Sequence, residues 1–170
     1  MEVVIRPATV DDLGAVRAIY NHYVETSTCT FQIEPDTQAE RLAWFTNRSP
    51  AHPVTVAQLG GEVVGWAALS PWKPRDGYAR SVEASVYIRH DRLRRGLGRA
   101  LMADLIGRAR AAGHHTIIGG ACTEMTASLA LQESLRFERV AYFREVGRKF
   151  TRWLDVVYMQ LLLGPPDSVH

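Results

Sequence analysis

Apolar residues recur with two different periods along this chain, and the two periods indicate strands and helices. In residues 81–88 they alternate with Glu83, Ser85 and Tyr87, which is typical of a strand with two unlike faces. From Leu97 to Ala109 they recur every four positions, which predicts an amphipathic helix. A turn of sequence RLRRGLGR, with two glycines and four arginines, joins the two. This strand, turn and helix form the centre of the predicted fold.

The remaining chain extends this unit into a mixed α/β domain of residues 1–163. The predicted order of elements is β-α-α-β-β-β-α-β-α-β-β. A capping box, TQAE, starts the second helix, which carries Leu42, Trp44 and Phe45. Residues 164–170, GPPDSVH, are expected to form a loose C-terminal tail.

Composition limits the classes of function. The 170 residues suffice for one domain with a substantial core, and a net charge of +2 argues against a nucleic-acid binder. No apolar run approaches a membrane span, and the N-terminus does not have the pattern of a signal peptide. Cys29 and Cys122 form no CxxC pair, so we expect neither a metal site nor a disulfide framework. A reducing, cytoplasmic setting fits this cysteine usage.

The glycine turn is a candidate anion site. Missing Cβ atoms let backbone N–H groups from about Arg94 to Arg99 approach a phosphate, and the dipole of the following helix favours negative charge there. From the residues alone, a solvated, arginine-rich helix start is an equally good interpretation. The third glycine of a dinucleotide fingerprint and the GK[ST] of a Walker A loop are both absent, so those two nucleotide motifs are excluded.

The strand, the R-x-G-x-G turn and the helix together resemble the coenzyme A pyrophosphate motif of the GCN5-related N-acetyltransferases (GNAT). Within them the chain is most similar to the phosphinothricin and methionine sulfoximine N-acetyltransferases, through AIYNHYVETST, TFQIEP, PWKPRDGY, SVEASVYI and FREVGRKFTRWLDVVYMQ. The resemblance implies the GNAT fold, a mixed central sheet with helices on both faces, splayed at the acetyl-CoA-binding strand. It also implies acetyl-CoA as co-substrate, transfer to the α-amino group of a small amino-acid-like acceptor, and a homodimer.

The resemblance assigns cofactor binding to the strand and the turn. Backbone groups of the strand are expected to place the thioester, and an N–H near Val86 or Tyr87 to stabilise the acyl oxygen. Backbone groups of the turn are expected to hold the pyrophosphate, while Gln132 can donate a hydrogen bond to the leaving thiol. The residues so implied are Val86, Tyr87, Ile88, Arg94, Arg95, Gly96, Leu97, Gly98, Arg99 and Gln132.

Glu83 aligns with the acid that this branch is thought to use as general base. Amines are mostly protonated at neutral pH, so acetyl transfer needs a group that accepts a proton. A carboxylate whose pKa is raised by burial can do so, directly or through water. The alternative is an ion pair between Glu83 and Arg75 or Arg80. Because the strand is otherwise apolar and small, we favour the catalytic role.

Two loops are expected to bind the acceptor. Trp72, Lys73, Arg75 and Tyr78 match the substrate loop of the family, and two cations suit a ligand with a carboxylate and a phosphinate or sulfoximine-like group. Phe31 matches a family aromatic near the substrate. Alternatively, the loop of residues 72–78 is simply solvated, and Phe31 covers the core.

Four positions depart from the family pattern. Gln132 stands where His or Tyr is common and cannot act as a general acid. Arg136 stands for a glycine, Met125 for an Asn, and Leu93 for a Gln or Arg. Two other functions therefore remain open: acetylation of another small amine or a protein N-terminus, and a non-catalytic acyl-CoA-binding module. The presence of Glu83 and of PWKPRDGY favours an enzyme.

Overall fold

A computed structural model describes residues 2–164, in which four α-helices flank one seven-stranded sheet. The strands are β1 (Val3–Pro7), β2 (Val54–Leu59), β3 (Glu62–Pro71), β4 (Ser81–Ile88), β5 (Thr116–Cys122), β6 (Glu138–Lys149) and β7 (Arg152–Leu162). The helices are α1 (Leu13–Thr26), α2 (Gln38–Thr46), α3 (Leu97–Ala111) and α4 (Thr126–Ser134). The order predicted from the hydrophobic pattern is confirmed. Residues 165–170, most of the expected tail, lie outside the described part.

The sheet is mixed, and it opens beside β4. Its strand order is β1-β2-β3-β4-β5-β7-β6. Antiparallel pairing joins β4 to β3 from Val82 to Ile88, whereas parallel pairing to β5 involves only residues 81–83. Beyond Glu83 the two parallel strands separate, which leaves one edge of β4 without a strand partner in this part of the sheet. The predicted splay is therefore confirmed.

Two apolar layers lie on opposite faces of the sheet. Leu101 and Leu105 of α3 pack on one face, with the Val82 and Val86 side chains of β4. Helices α1 and α2 cover the other face, where Tyr87 packs in the cluster that contains Trp66. Because successive side chains of a strand alternate between faces, Glu83 and Ser85 lie on the same face as Tyr87. The polar face of β4 is thus turned toward α1.

The buried residue of α2 is a cation. Leu42 is exposed, while Arg41 is buried. The Arg41 guanidinium forms an ion pair with Asp36 and lies 4.4 Å from the ring centroid of Trp44. A planar guanidinium can stack on aromatic rings while its donors bind a carboxylate, which allows its burial.

Candidate active site

A groove of about 1220 Å³ follows the opening between β4 and β5. Residues of α3, α4, β6 and β7 contribute to its walls. The groove brings together most of the predicted site residues, which come from widely separated segments. These are Phe31, Trp72, Lys73, Glu83, Val86, Tyr87, Ile88, Arg94, Arg95, Gly96, Leu97, Gly98, Arg99 and Gln132.

Two predicted acceptor residues lie elsewhere. Arg75 and Tyr78 flank and end a short 3-10 turn in the loop between β3 and β4, and both are exposed to solvent. Neither lines the groove. Their proposed contact with the acceptor therefore stays a prediction.

The glycine turn places the start of α3 at one end of the groove. Gly96 precedes the helix with φ +76°, in the left-handed region that favours glycine, and Arg94 also has a positive φ of 58°. The first N–H groups of α3 have no acceptor within the helix, and the positive end of its dipole lies beside them. A Cβ on Gly98 would lie 3.2 Å from Leu131 Cδ2. The turn therefore places a glycine, Gly96, and the free N–H groups of α3 beside the groove, an arrangement suited to a pyrophosphate.

The arginines of the turn differ in their partners. Arg99 Nη1 donates to Ser134 Oγ at 2.7 Å, which joins the first turn of α3 to the end of α4. Arg94 and Arg95 are exposed at the mouth of the groove. Exposed guanidinium groups at this place add positive charge where an anionic ligand would enter.

Glu83 lies where β4 and β5 begin to separate. The carboxyl group is partly buried, and this burial raises its pKa, an effect that the charge of Lys73 partly opposes. None of the ion pairs among residues 2–164 includes Glu83, so the expected alternative pairing with Arg75 or Arg80 is not observed. A carboxylate with a raised pKa and no fixed cation is available to accept a proton.

Tyr87 and Ile88 hold β4 against α1. The Tyr87 ring stacks on Trp66 with centroids 4.9 Å apart and meets Tyr20 edge to face at 5.2 Å. Burial raises the pKa of the Tyr87 hydroxyl far above its ordinary value, so the phenol stays protonated. Tyr23 donates its hydroxyl to Ile88 O at 2.5 Å. Both residues therefore fix the strand whose backbone borders the groove.

Gln132 is buried on α4 and packs against β5. A Cβ on Gly119 would lie 2.0 Å from its Oε1, so any other residue there would displace the amide group. The same Oε1 accepts no hydrogen bond from the described residues. The amide side chain lines the groove, as expected, and offers its N–H donors there.

Sequence reasoning missed the wall that β6 and β7 contribute. Val140, Phe143, Gly147 and Tyr158 line it. Burial, and after it the charge of Glu83, raise the pKa of Tyr158. The alternating pattern of the two strands could have named residues on each face. It could not tell which face meets the groove, because both faces carry large apolar residues.

No three His, Cys, Asp or Glu side chains among residues 2–164 form a cluster able to bind a metal ion. None of the helices in the same range combines the length and apolar character that crossing a membrane requires.

Known proteins share both the sequence and the architecture. The sequence profile of the acetyltransferase (GNAT) family matches residues 16–135, more than half of the chain. An L-methionine sulfoximine/L-methionine sulfone acetyltransferase of Pseudomonas aeruginosa is 41% identical over 170 residues, covering 99% of this chain and 99% of that protein. A phosphinothricin N-acetyltransferase of Streptomyces viridochromogenes is 37% identical over 171 residues, covering 99% of this chain and 93% of that protein.

A solved structure shows the same fold with its cofactor. The acetyltransferase yncA of Salmonella typhimurium, determined with acetyl-CoA, has a TM-score of 0.93 to this chain at 37% identity, covering 98% of each. The matched family profile, the full-length relatives and the splayed sheet with its glycine turn agree, and the chain belongs to the GNAT acetyltransferase family.

Proposed function

We propose that the protein transfers an acetyl group from acetyl-CoA directly to the α-amino group of a small amino-acid-like acceptor, such as methionine sulfoximine or phosphinothricin. One observation carries the proposal. Glu83, a partly buried carboxylate without an ion-pair partner among residues 2–164, lies in the same groove as the glycine turn. The names of the two relatives support the choice of acceptor class.

The groove suits acetyl-CoA, which supplies an activated acyl thioester when it is bound. The turn from Arg94 to Arg99 contains Gly96 and Gly98 and leads directly into the first turn of α3, whose free N–H groups can bind a pyrophosphate. The open edge of β4 beyond Glu83 offers peptide groups that β5 does not use. An N–H near Val86 or Tyr87 is the proposed donor to the acyl oxygen as negative charge develops on it.

Glu83 is the proposed general base. The α-ammonium group of an amino acid must lose a proton before its nitrogen can attack a carbonyl carbon. Since burial raises the pKa of Glu83, the carboxylate is a stronger base than an exposed one, and it can accept the proton directly or through water. The departing thiolate belongs to a thiol of pKa about 8.5, so it leaves without a strong acid. Gln132 can donate a hydrogen bond to it.

The proposed acceptor site lies opposite the turn, beyond Glu83. Phe31, Trp72 and Lys73 line the groove there. The Lys73 ammonium lies 5.1 Å from the ring centroid of Trp72 and is the cation in the groove best placed for an acceptor carboxylate. Arg75 and Tyr78 would join the acceptor only through movement of their exposed loop.

We further propose a homodimer in a reducing, cytoplasmic setting. The hairpin of β6 and β7 carries a set of large apolar side chains that remain exposed in the single chain, a composition typical of association surfaces. They are Val140, Tyr142, Phe143, Val146, Phe150 and Trp153. Light scattering on the purified protein tests this proposal. A dimer should give a mass near twice the 19.0 kDa of one chain.

Thiol release from acetyl-CoA, measured over a panel of acceptors, tests the function. The panel contains methionine sulfoximine, methionine sulfone, phosphinothricin, unsubstituted amino acids, simple amines and a peptide with a free N-terminus. We expect turnover of the first three at acceptor concentrations that leave the peptide unreacted. Preference for the amines or the peptide would contradict the acceptor class. Acetyl-CoA binding without turnover of any acceptor would indicate a binding module instead.

A further inference from the structure

Lys149, the last residue of β6, is a buried cation whose hydrogen-bond partners are all backbone carbonyls. It is 3% exposed. Its Nζ donates to Ser27 O at 2.6 Å, to Thr30 O at 2.9 Å and to Tyr23 O at 3.4 Å. The three acceptors belong to the end of α1 and to the segment that follows it. We call residues 27–31 of that segment the 27–31 loop.

The charge of Lys149 is balanced by peptide dipoles. None of the ion pairs formed among residues 2–164 includes this ammonium. Ser27 caps α1, with its N–H bonded to Tyr23 O at 3.0 Å, so the ammonium lies at the negative end of the helix dipole. All three N–H donors of the lysine are used on this one segment. The interaction is therefore specific to the place and shape of the 27–31 loop.

Gly147 supports the same loop from two residues earlier on β6. A Cβ on Gly147 would lie 2.3 Å from Phe31 Cε1, so the aromatic ring rests directly on the strand backbone. Residues two apart on a strand share a face, which places Gly147 and Lys149 side by side beneath the loop. Gly147 has no side chain and so leaves room for Phe31, while Lys149 binds the carbonyls on either side of Cys29.

The loop in turn forms part of the groove. Cys29, Thr30 and Phe31 line it, whereas Lys149 does not. Thr28 Oγ1 donates to Glu124 Oε2 at 3.0 Å, which adds a weaker, partly exposed contact to the other side of the loop. The buried ammonium is thus the central anchor of a segment that shapes the acceptor end of the site.

We propose that Lys149 is a positioning residue for the acceptor. Together with Gly147 it holds the 27–31 loop against β6, so that Phe31 keeps its place in the groove. The inference deepens the proposed function and rests on it, because the acceptor role of Phe31 belongs to that proposal. Among residues 2–164, no hydrogen bond or ion pair of the Lys149 side chain reaches the turn or β4, which serve acetyl-CoA. Loss of the ammonium should therefore weaken acceptor binding selectively.

The main test is Lys149→Met, which keeps an unbranched apolar stem and removes the three donors. We expect the acceptor KM to rise by about tenfold, the size typical of lost charge-assisted hydrogen bonds, while kcat and the KM for acetyl-CoA change by less than about twofold. Amide hydrogen exchange within residues 27–31 should become faster. Gly147→Ala, which leaves the ammonium in place, should raise the acceptor KM in the same selective way.

Arg139→Met is the matched control, since it removes a β6 cation whose exposed guanidinium pairs with Glu133 at 2.9 Å. It should change neither KM. Equal changes in both KM values after Lys149→Met, or unchanged exchange in residues 27–31, would overturn the proposal. If Lys149→Met does not fold, an unchanged acceptor KM in Gly147→Ala overturns it. Amide hydrogen exchange can be measured without an acceptor. A wild-type protein that acetylates no acceptor would contradict the proposed function. The exchange result would then decide whether Lys149 holds the 27–31 loop.

Discussion

The proposed cofactor end and the proposed acceptor end of the groove are built in different ways. The cofactor end is one continuous stretch, in which β4 leads through the glycine turn into α3. The acceptor end is assembled from Phe31, Trp72 and the paired strands β6 and β7, which carry Gly147 and Tyr158, so three distant segments meet there. Local backbone conformation determines the first, whereas packing between remote parts of the chain determines the second.

This difference bears on how each end responds to change. At the cofactor end, a substitution acts on the turn itself or on its contact with α4, so its effect should stay with acetyl-CoA. At the acceptor end, Lys149 can act through backbone carbonyls more than a hundred residues earlier in the chain. Glu83 lies between the two ends and should affect the transfer of the acetyl group from the cofactor to the acceptor.

The largest effect is expected at that junction. Glu83→Gln removes the proposed base and should lower kcat by about a hundredfold or more, the range typical of general-base loss, with acetyl-CoA affinity unchanged. In the wild type, kcat/KM should rise with pH through the raised pKa of Glu83, and this limb should disappear in the variant. Steady-state kinetics measure kcat and its pH dependence, and calorimetry measures the affinity for acetyl-CoA. Glu62→Gln, an exposed glutamate on β3, is the control. Wild-type turnover in Glu83→Gln would exclude the role.

A smaller effect, confined to the cofactor end, is expected from Gly98→Val. The new Cβ would lie 3.2 Å from Leu131 Cδ2, and its methyl groups would crowd the turn. The Kd for acetyl-CoA should rise by about tenfold, as expected when a backbone approach to phosphate is blocked. Gly107→Val is the matched control on the same helix, where a Cβ has no neighbour within 4 Å. An equal rise in the acceptor KM of Gly98→Val would mean that the two ends are not independent.

The smallest effect concerns stability. Because burial raises the pKa of Glu83 in the folded state, the folded protein binds the proton more tightly than the unfolded chain. Ionisation of Glu83 therefore lowers the free energy of unfolding as pH rises above the pKa that Glu83 has in the unfolded chain. At lower pH this loss is absent. Glu83→Gln should melt at a higher temperature than the wild type at neutral pH, by a few degrees at most. The difference should vanish below about pH 4, where both side chains are neutral. Thermal unfolding at several pH values measures this.

Several features of the site could be predicted from residues alone. The alternation around Glu83 and the helical period after Leu97 are local patterns, and the structure confirms both elements. Gly96 and Gly98 form a pattern of low specificity, so the residues alone did not identify a ligand for the turn. Only the family resemblance suggested coenzyme A. By contrast, no local pattern places Arg75 outside the groove or Gly147 inside it. Each of those depends on how loops and strands from different parts of the chain meet.

Burial of charge was equally out of reach of pattern reasoning. A lysine at the end of an amphipathic strand usually faces water, yet Lys149 is buried because three backbone carbonyls of a remote segment accept hydrogen bonds from its ammonium group. Arg41 is buried on α2 because Asp36 and aromatic rings surround it. Hydrophobic periodicity records the average preference of a residue type and carries no information about a specific partner.

The sequence by itself determined the order of the elements, the presence of a glycine turn between β4 and α3, and the position of Glu83 on the polar face of β4. These follow from side-chain period and from glycine stereochemistry, which operate within a few residues. Only the tertiary structure decided that β4 leaves β5 just beyond Glu83, that β6 and β7 form the far wall, and that Lys149 holds the 27–31 loop. Those features depend on contacts between distant residues, whose free energy is set by packing and by hydrogen bonds that form only in the folded chain.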